Sequence, residues 1–132
     1  EISDLKTKEL SGGISDIASE AKEVKGINVV AKRIEAENMD QLRDLGDELR
    51  KELKTNSIGL LGTIVDDKVQ LVCVVTDDTK DKYPAGKIVG LAAKYLAGGG
   101  GGKPHLATAG GKDITKLDEL LTTEFVSIVE NF

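Results

Sequence analysis

The sequence predicts a small α/β domain in which helices cover a mixed sheet with a central hairpin; α+β is the alternative arrangement of the same elements. Three observations carry this. Ser57–Val65 and Lys68–Thr76 are strongly apolar segments separated only by Asp66 and Asp67, the pattern of a tight β-hairpin. Leu42, Leu45, Leu49 and Leu53 recur at helical spacing, as do Ile88, Leu91, Ala92, Tyr95 and Leu96. Ile27–Glu35 is rich in β-branched residues and reads as a further strand, with Ile27, Val29 and Ala31 toward one face. Helices alternating with strands around a hairpin give a sheet with helical cover.

In order along the chain, residues 1–10 have helix-forming composition and are interrupted by Ser11, Gly12 and Gly13. Residues 1–12 are therefore read as the end of a helical segment and residues 13–132 as one globular domain. Ile14, Ile17, Ala18, Ala21 and Val24 follow helical spacing, which predicts a short helix ending near Lys25 with Gly26 as its stop. Asn38 with Gln41 makes a capping-box pattern for a helix over Met39–Lys54. Its Arg43, Asp44, Asp47, Arg50 and Lys51 are expected to face water, with weak helical pairs such as Asp47 with Lys51. Pro84 suits the first turn of the next helix. The glycine run that follows is expected to supply the left-handed cap and then a loop. His105–Ala109 reads as a brief strand. Asp113 or Thr115 then caps a last helix whose Ile114, Leu117, Leu121, Phe125 and Ile128 turn inward.

A chain of 132 residues is long enough for one core. It begins at Glu1 rather than Met and is read as a piece of a longer protein. No apolar run approaches the roughly 20 residues needed to cross a bilayer, and no signal peptide is apparent, so the expected setting is cytoplasmic. Cys73 is the single cysteine. Within Leu71–Val75 it reads as a core filler on a buried strand rather than a reactive thiol. The formal net charge is −5, but it is unevenly spread. Between Lys80 and Lys116 seven lysines face only Asp81 and Asp113, which leaves the acidic excess to the rest of the chain. That basic window holds the glycine run, the combination an anion-binding surface needs.

The usual equipment of an enzyme is missing. One histidine, His105, and one core cysteine form neither a metal cluster of recognisable spacing nor a Cys/His pair, so no catalytic residue, metal or cofactor is expected. Asp66, Asp67, Asp77 and Asp78 mark the two ends of one hairpin strand and read as turn residues rather than cation ligands. His105 is either a structural loop residue or a ligand contact.

Gly98–Gly111 is the most unusual stretch: five glycines, then Lys103, Pro104, His105, Leu106, Ala107, Thr108, Ala109, Gly110 and Gly111. It fails the Walker pattern, because Lys103 is followed by Pro104 where a serine or threonine is needed. It follows a helix rather than a strand, which also excludes the Rossmann turn. An amide-rich segment flanked by lysines suits a phosphate group; the alternative is a plain flexible linker.

Taken whole, Gly98–Gly111 with Lys103, Pro104, Ala107, Ala109, Gly110, Gly111 and Asp113 resembles the glycine-rich signature of the C-terminal, DHH-associated domain of bacterial alanyl-tRNA synthetase. The likeness extends upstream through Val24–Ile34, the Leu42–Leu53 helix with Asp47, and the hairpin. Ala97, where the family commonly has glycine, and His105, where aspartate is common, depart from it. The resemblance implies a non-catalytic appendage that binds tRNA(Ala) at its elbow and supports aminoacylation and editing by other domains of the same protein. It also implies a possible homodimer through the preceding helical segment. On this reading the RNA-facing residues are Lys87, Lys94, Gly100, Gly101, Gly102, Lys103, His105 and Lys112. With only Tyr83 and Tyr95 near the basic window, a base-stacking platform is not expected. Two readings from other classes stand beside it: the substrate-binding domain of a DHH-type phosphoesterase, and a protein-interaction module using the apolar face of Ile2–Leu10.

Overall fold

Apolar residues on both faces of Ser57–Val65 (β3) and Lys68–Val75 (β4) place this hairpin in the middle of the sheet rather than at an edge. Asp66 and Asp67 join the strands with both residues at positive φ, 52° and 63°, as a two-residue type I′ turn requires. The computed structural model describes residues 22–24, 26–53 and 56–130. Within them lies a six-stranded sheet. Its order is β1 (Lys22–Val24), β2 (Ile27–Arg33), β3, β4, β6 (Leu106–Gly111), β5 (Gly99–Gly102). Only β2 and β3 run parallel. Mixed strands with helical cover are the α/β class the sequence predicts.

The parallel pair needs a crossover, which α1 (Met39–Leu53) provides. Asn38 caps it as expected, the Gln41 N–H donating to Asn38 Oδ1 at 2.9 Å, while the return bond of the capping box shifts by one residue: the Glu37 N–H, not that of Asn38, donates to Gln41 Oε1 at 2.6 Å. Leu42 and Leu49 pack on Val30, Leu61, Val72 and Val74 on one face of the sheet. The opposite face carries Val29, Ile58, Leu60, Leu71, Cys73 and Val75. There α2 (Ala85–Tyr95) and the C-terminal helical stretch cover it. Cys73 is fully buried and burial pushes its thiol far above the ordinary range, so it is an inert core side chain. No helix among the described residues is long and apolar enough to cross a membrane.

Five local expectations change. Lys22–Val24 is not the end of a helix but an edge strand paired antiparallel with Ile27–Val29. Gly26, at φ 83°, turns the chain between strands instead of stopping a helix. The rest of that expected helix and residues 1–12 lie outside the described residues. In α2 the buried face consists of Ala85, Ile88, Val89, Ala92 and Ala93, while Leu91 is 43% exposed. Val89 and Ala93 take inward positions, and Gly86 and Gly90 face β5. The last helix is capped by Asp113, which accepts from the Thr115 N–H at 3.1 Å. It is not uniform: a 3-10 turn over Ile114–Lys116 leads into α-turns interrupted by π spacing at Leu120–Glu124. Leu117, Leu120, Leu121, Phe125 and Val129 are buried, with Ile114 and Ile128 packed partly against them. Finally, Asp47 and Lys51 do not pair; Arg50 instead bonds to Asp77, and Arg43 lies 3.9 Å from Asp40.

Asp78 works as a turn residue. Both of its carboxylate oxygens accept from the Asn56 N–H at 3.0 Å, and the Thr76 hydroxyl donates at 2.7 Å. No group of three His, Cys, Asp or Glu side chains among the described residues is placed to hold a metal ion.

Candidate nucleic-acid interface

The glycine run is a strand, not a loop. Gly99, Gly100, Gly101 and Gly102 pair with Gly110, Ala109, Thr108 and Ala107. The Lys103 N–H donates to the Leu106 carbonyl at 3.1 Å, and this sets the phase of the antiparallel ladder. Gly101 and Gly99 spend their main-chain groups on β6, while those of Gly100 and Gly102 point away from it. They point at α2. A Cβ on Gly86 would lie 2.9 Å from the Gly102 oxygen and one on Gly90 3.7 Å from the Gly100 oxygen, so the helix covers the strand edge backbone to backbone. Side chains on alternate strand residues are also excluded by β6: a Cβ on Gly98 would sit 1.9 Å from the Gly110 oxygen, and one on Gly100 2.3 Å from Ala109. At Gly99 and Gly101 a Cβ would meet nothing within 4 Å. Packing therefore requires half of the run, and the other half leaves the strand bare toward solvent.

Both ends of α2 are tied to this hairpin. At its start the Ala85 N–H donates to the Pro104 carbonyl at 2.9 Å. At its end Ala97 takes the left-handed position, φ 59°, that the sequence assigned to a glycine. The Gly98 N–H donates to Ala93 at 2.8 Å and the Ala97 N–H to Lys94 at 3.1 Å, closing a Schellman cap. The Lys112 and Asp113 N–H groups both donate to the Leu96 carbonyl, at 2.8 and 3.0 Å. Lys103 thus stands beside the start of α2 and Lys112 beside its end. Lys87 and Lys94 lie on the helix side away from the core, about 10 Å apart along the axis. All four lysines are exposed, and α2 contains no acidic residue.

The other side of the β5–β6 turn is different. A groove of about 550 Å³ runs between it and α1, lined by Gly101, Gly102, Lys103, His105 and Thr108 on one side and Asp40, Arg43, Asp44 and Asp47 on the other. His105 is half-buried there and its carbonyl accepts from the Val75 N–H at 2.9 Å. The residues singled out from the sequence are therefore divided. Gly101, Gly102, Lys103 and His105 share the groove, Lys87, Lys94 and Lys112 follow α2, and Gly100 is exposed on β5, with no room for a side chain against Ala109. Arg43, Asp44 and Asp47 of α1 are exposed, as their alternating charges predict. Nothing local announces their place in the groove wall, because the β2–α1–β3 crossover delivers them from a distant part of the chain.

The two tyrosines near this surface are engaged by the fold. Tyr83 is buried. The Tyr95 hydroxyl donates to Glu119 at 2.6 Å, which with burial pushes its pKa up to about 12. Lys116 lies 5.3 Å from the Tyr95 ring centre.

Residues 26–130 match the DHHA1 domain. The chain belongs to the DHHA1 domain family. This DHHA1 domain is 40% identical, over 99% of its length, to part of an alanine–tRNA ligase of Acetivibrio thermocellus, of which it spans 15%. It is 43% identical, over 93% of its length, to part of an alanine–tRNA ligase of Alkaliphilus oremlandii, of which it spans 14%. Its fold is similar to the crystal structure of the C-Ala domain from Aquifex aeolicus alanyl-tRNA synthetase. That match has a TM-score of 0.76 at 27% identity and covers 84% of this chain and 98% of that one.

Proposed function

We propose that this DHHA1 domain is the non-catalytic, tRNA-binding C-terminal domain of an alanine–tRNA ligase acting in the cytoplasm. On this reading it contacts the elbow of tRNA(Ala) and helps the aminoacylating and editing domains of the same protein act on one substrate. A second copy would join through residues 1–12. The observation that carries the reading is the acid-free exposed side of α2, with Lys87 and Lys94 along it and Lys103 and Lys112 at its two ends. Such a row of exposed cations follows a phosphate backbone. Gly101 is where the bare strand admits an RNA backbone beside Lys103, while Gly100 and Gly102 hold the strand in place. Similarity to alanine–tRNA ligases along nearly the whole chain supports the partner.

A titration of this chain with intact tRNA(Ala) and with an elbow-disrupted tRNA, over a salt series, tests the proposal. Four phosphate contacts give a slope of log affinity against log salt of about −3. Changing Lys103 and Lys112 to glutamate should weaken binding and flatten that slope. Unchanged affinity in the double variant, or equal affinity for the two RNAs, would remove the surface or the elbow from the account.

A further inference from the structure

Leu91 is the one large apolar side chain that is exposed among the described residues, at 43% of its surface. Its place is specific. Lys87 lies one turn before it and Lys94 one turn after it, and both share its side of α2. A leucine in the core pattern of an amphipathic helix normally turns inward. Here the inward positions are filled by Ile88, Val89, Ala92 and Ala93, and Gly86 and Gly90 are held against β5. Leu91 is left on the side opposite the core.

We infer that Lys87, Leu91 and Lys94 form one recognition stripe in which Leu91 packs on an exposed nucleobase face of the RNA while the two lysines hold phosphates on either side. The inference rests on the tRNA-binding reading and adds a contact that does not depend on charge. Three observations favour RNA over a protein at this face. The helix carries cations and no acid, so its complement is a polyanion. A single leucine between charges is far smaller than the apolar patch of several hundred Å² that marks a protein interface. Tyr83 is buried, Tyr95 is half-buried with Lys116 over its ring, and Leu91 is the exposed large apolar side chain, so Leu91 is the apolar group that this side of α2 offers to an unstacked base.

The test is a salt series with an intact alanine tRNA transcript and four forms of this chain: unchanged, Leu91→Ala, Leu91→Met, and Lys87→Ala with Lys94→Ala. Helix content measured by circular dichroism checks that each variant is folded. Leu91→Ala should lose roughly fivefold in affinity, by the same factor at low and at high salt. Leu91→Met should restore most of that loss. The lysine variant should lose affinity mainly at low salt and flatten the slope by roughly 2. If the lysine variant weakens binding while Leu91→Ala does not, the apolar contact is overturned and the tRNA-binding reading stands. If the unchanged chain does not bind the transcript, both fall. If Leu91→Ala leaves RNA affinity unchanged but dissociates a self-associated species in sedimentation, the leucine belongs to a protein contact and the inference is wrong.

Discussion

Ala97 sits where a glycine is the economical choice. At φ 59° it completes the cap of α2, and an L-residue with a side chain costs about 1–2 kcal/mol in that conformation. Glycine removes the steric cost but is more flexible in the unfolded chain, which offsets part of the gain. Ala97→Gly should therefore stabilise the domain by about 0.5–1 kcal/mol, seen as a higher urea midpoint at constant slope; a lower midpoint would contradict the cap. Asp78 makes a second prediction at this scale. The Asn56 N–H first, then the Thr76 hydroxyl, holds its carboxyl below the ordinary carboxylate range. Asp113 is lowered as well, chiefly by the Thr115 hydroxyl. A folded-state pKa below the unfolded one means that the stabilisation is present above the carboxylate range and lost as pH falls through the lowered value. Asp78→Asn should thus cost stability near neutral pH and cost less near about pH 3. Equal losses at both would mean that its charge is not what the Asn56–Asp78 junction uses.

At the scale of the element, β5 and α2 explain each other's glycines. Alanine at Gly98 or Gly100 drives a methyl into the backbone of β6, an overlap that should cost about 3 kcal/mol or more. Gly101→Ala meets open space and should fall within about 0.5 kcal/mol of the original. On the facing helix, Gly86→Ala presses on the Gly102 oxygen at 2.9 Å and should destabilise. Gly90→Ala reaches only ordinary contact at 3.7 Å and should gain up to about 1 kcal/mol of helix propensity. Thermal melts of the five variants should place Gly98→Ala and Gly100→Ala lowest, then Gly86→Ala, then Gly101→Ala, with Gly90→Ala highest; a uniform loss would mean that the run does not pack as a strand. These elements also mark where sequence reading stops. The hairpin and α1 were legible because side-chain periodicity reports burial directly. A glycine strand has no side chains to show a period and poor intrinsic strand propensity, so it reads as a loop until its partners are known. Lys22–Val24 was hidden for a related reason: a three-residue edge strand is created by its pairing with β2, not by its own composition.

Over the whole molecule, the question is how a chain of net charge −5 presents a cationic surface. The basic window from Lys80 to Lys116 was visible in the sequence, and α2 does carry Lys87 and Lys94 on one side with Lys103 and Lys112 at its ends. The fold adds what the window could not reveal. By crossing from β2 to β3, α1 sets Asp40, Asp44 and Asp47, with Arg43 among them, opposite the Lys103 turn, so the wall on the far side of β5 is net acidic. Under the tRNA-binding proposal those carboxylates repel phosphates from the α1 wall of the groove and confine an RNA chain to its Gly101–Lys103 rim and the α2 side. Their contribution is then to selectivity, because repulsion from wrong poses separates a shaped ligand from any polyanion. Asp44→Asn with Asp47→Asn should raise affinity for intact and elbow-disrupted tRNA alike at low salt. The increase should be larger for the disrupted RNA, so that the ratio between the two narrows. It should fade as salt screens the exposed charges over about 10 Å. A double variant that binds both RNAs as the original does would show that the acidic wall lies outside the field the RNA experiences, and would leave the lysines of α2 to orient it alone.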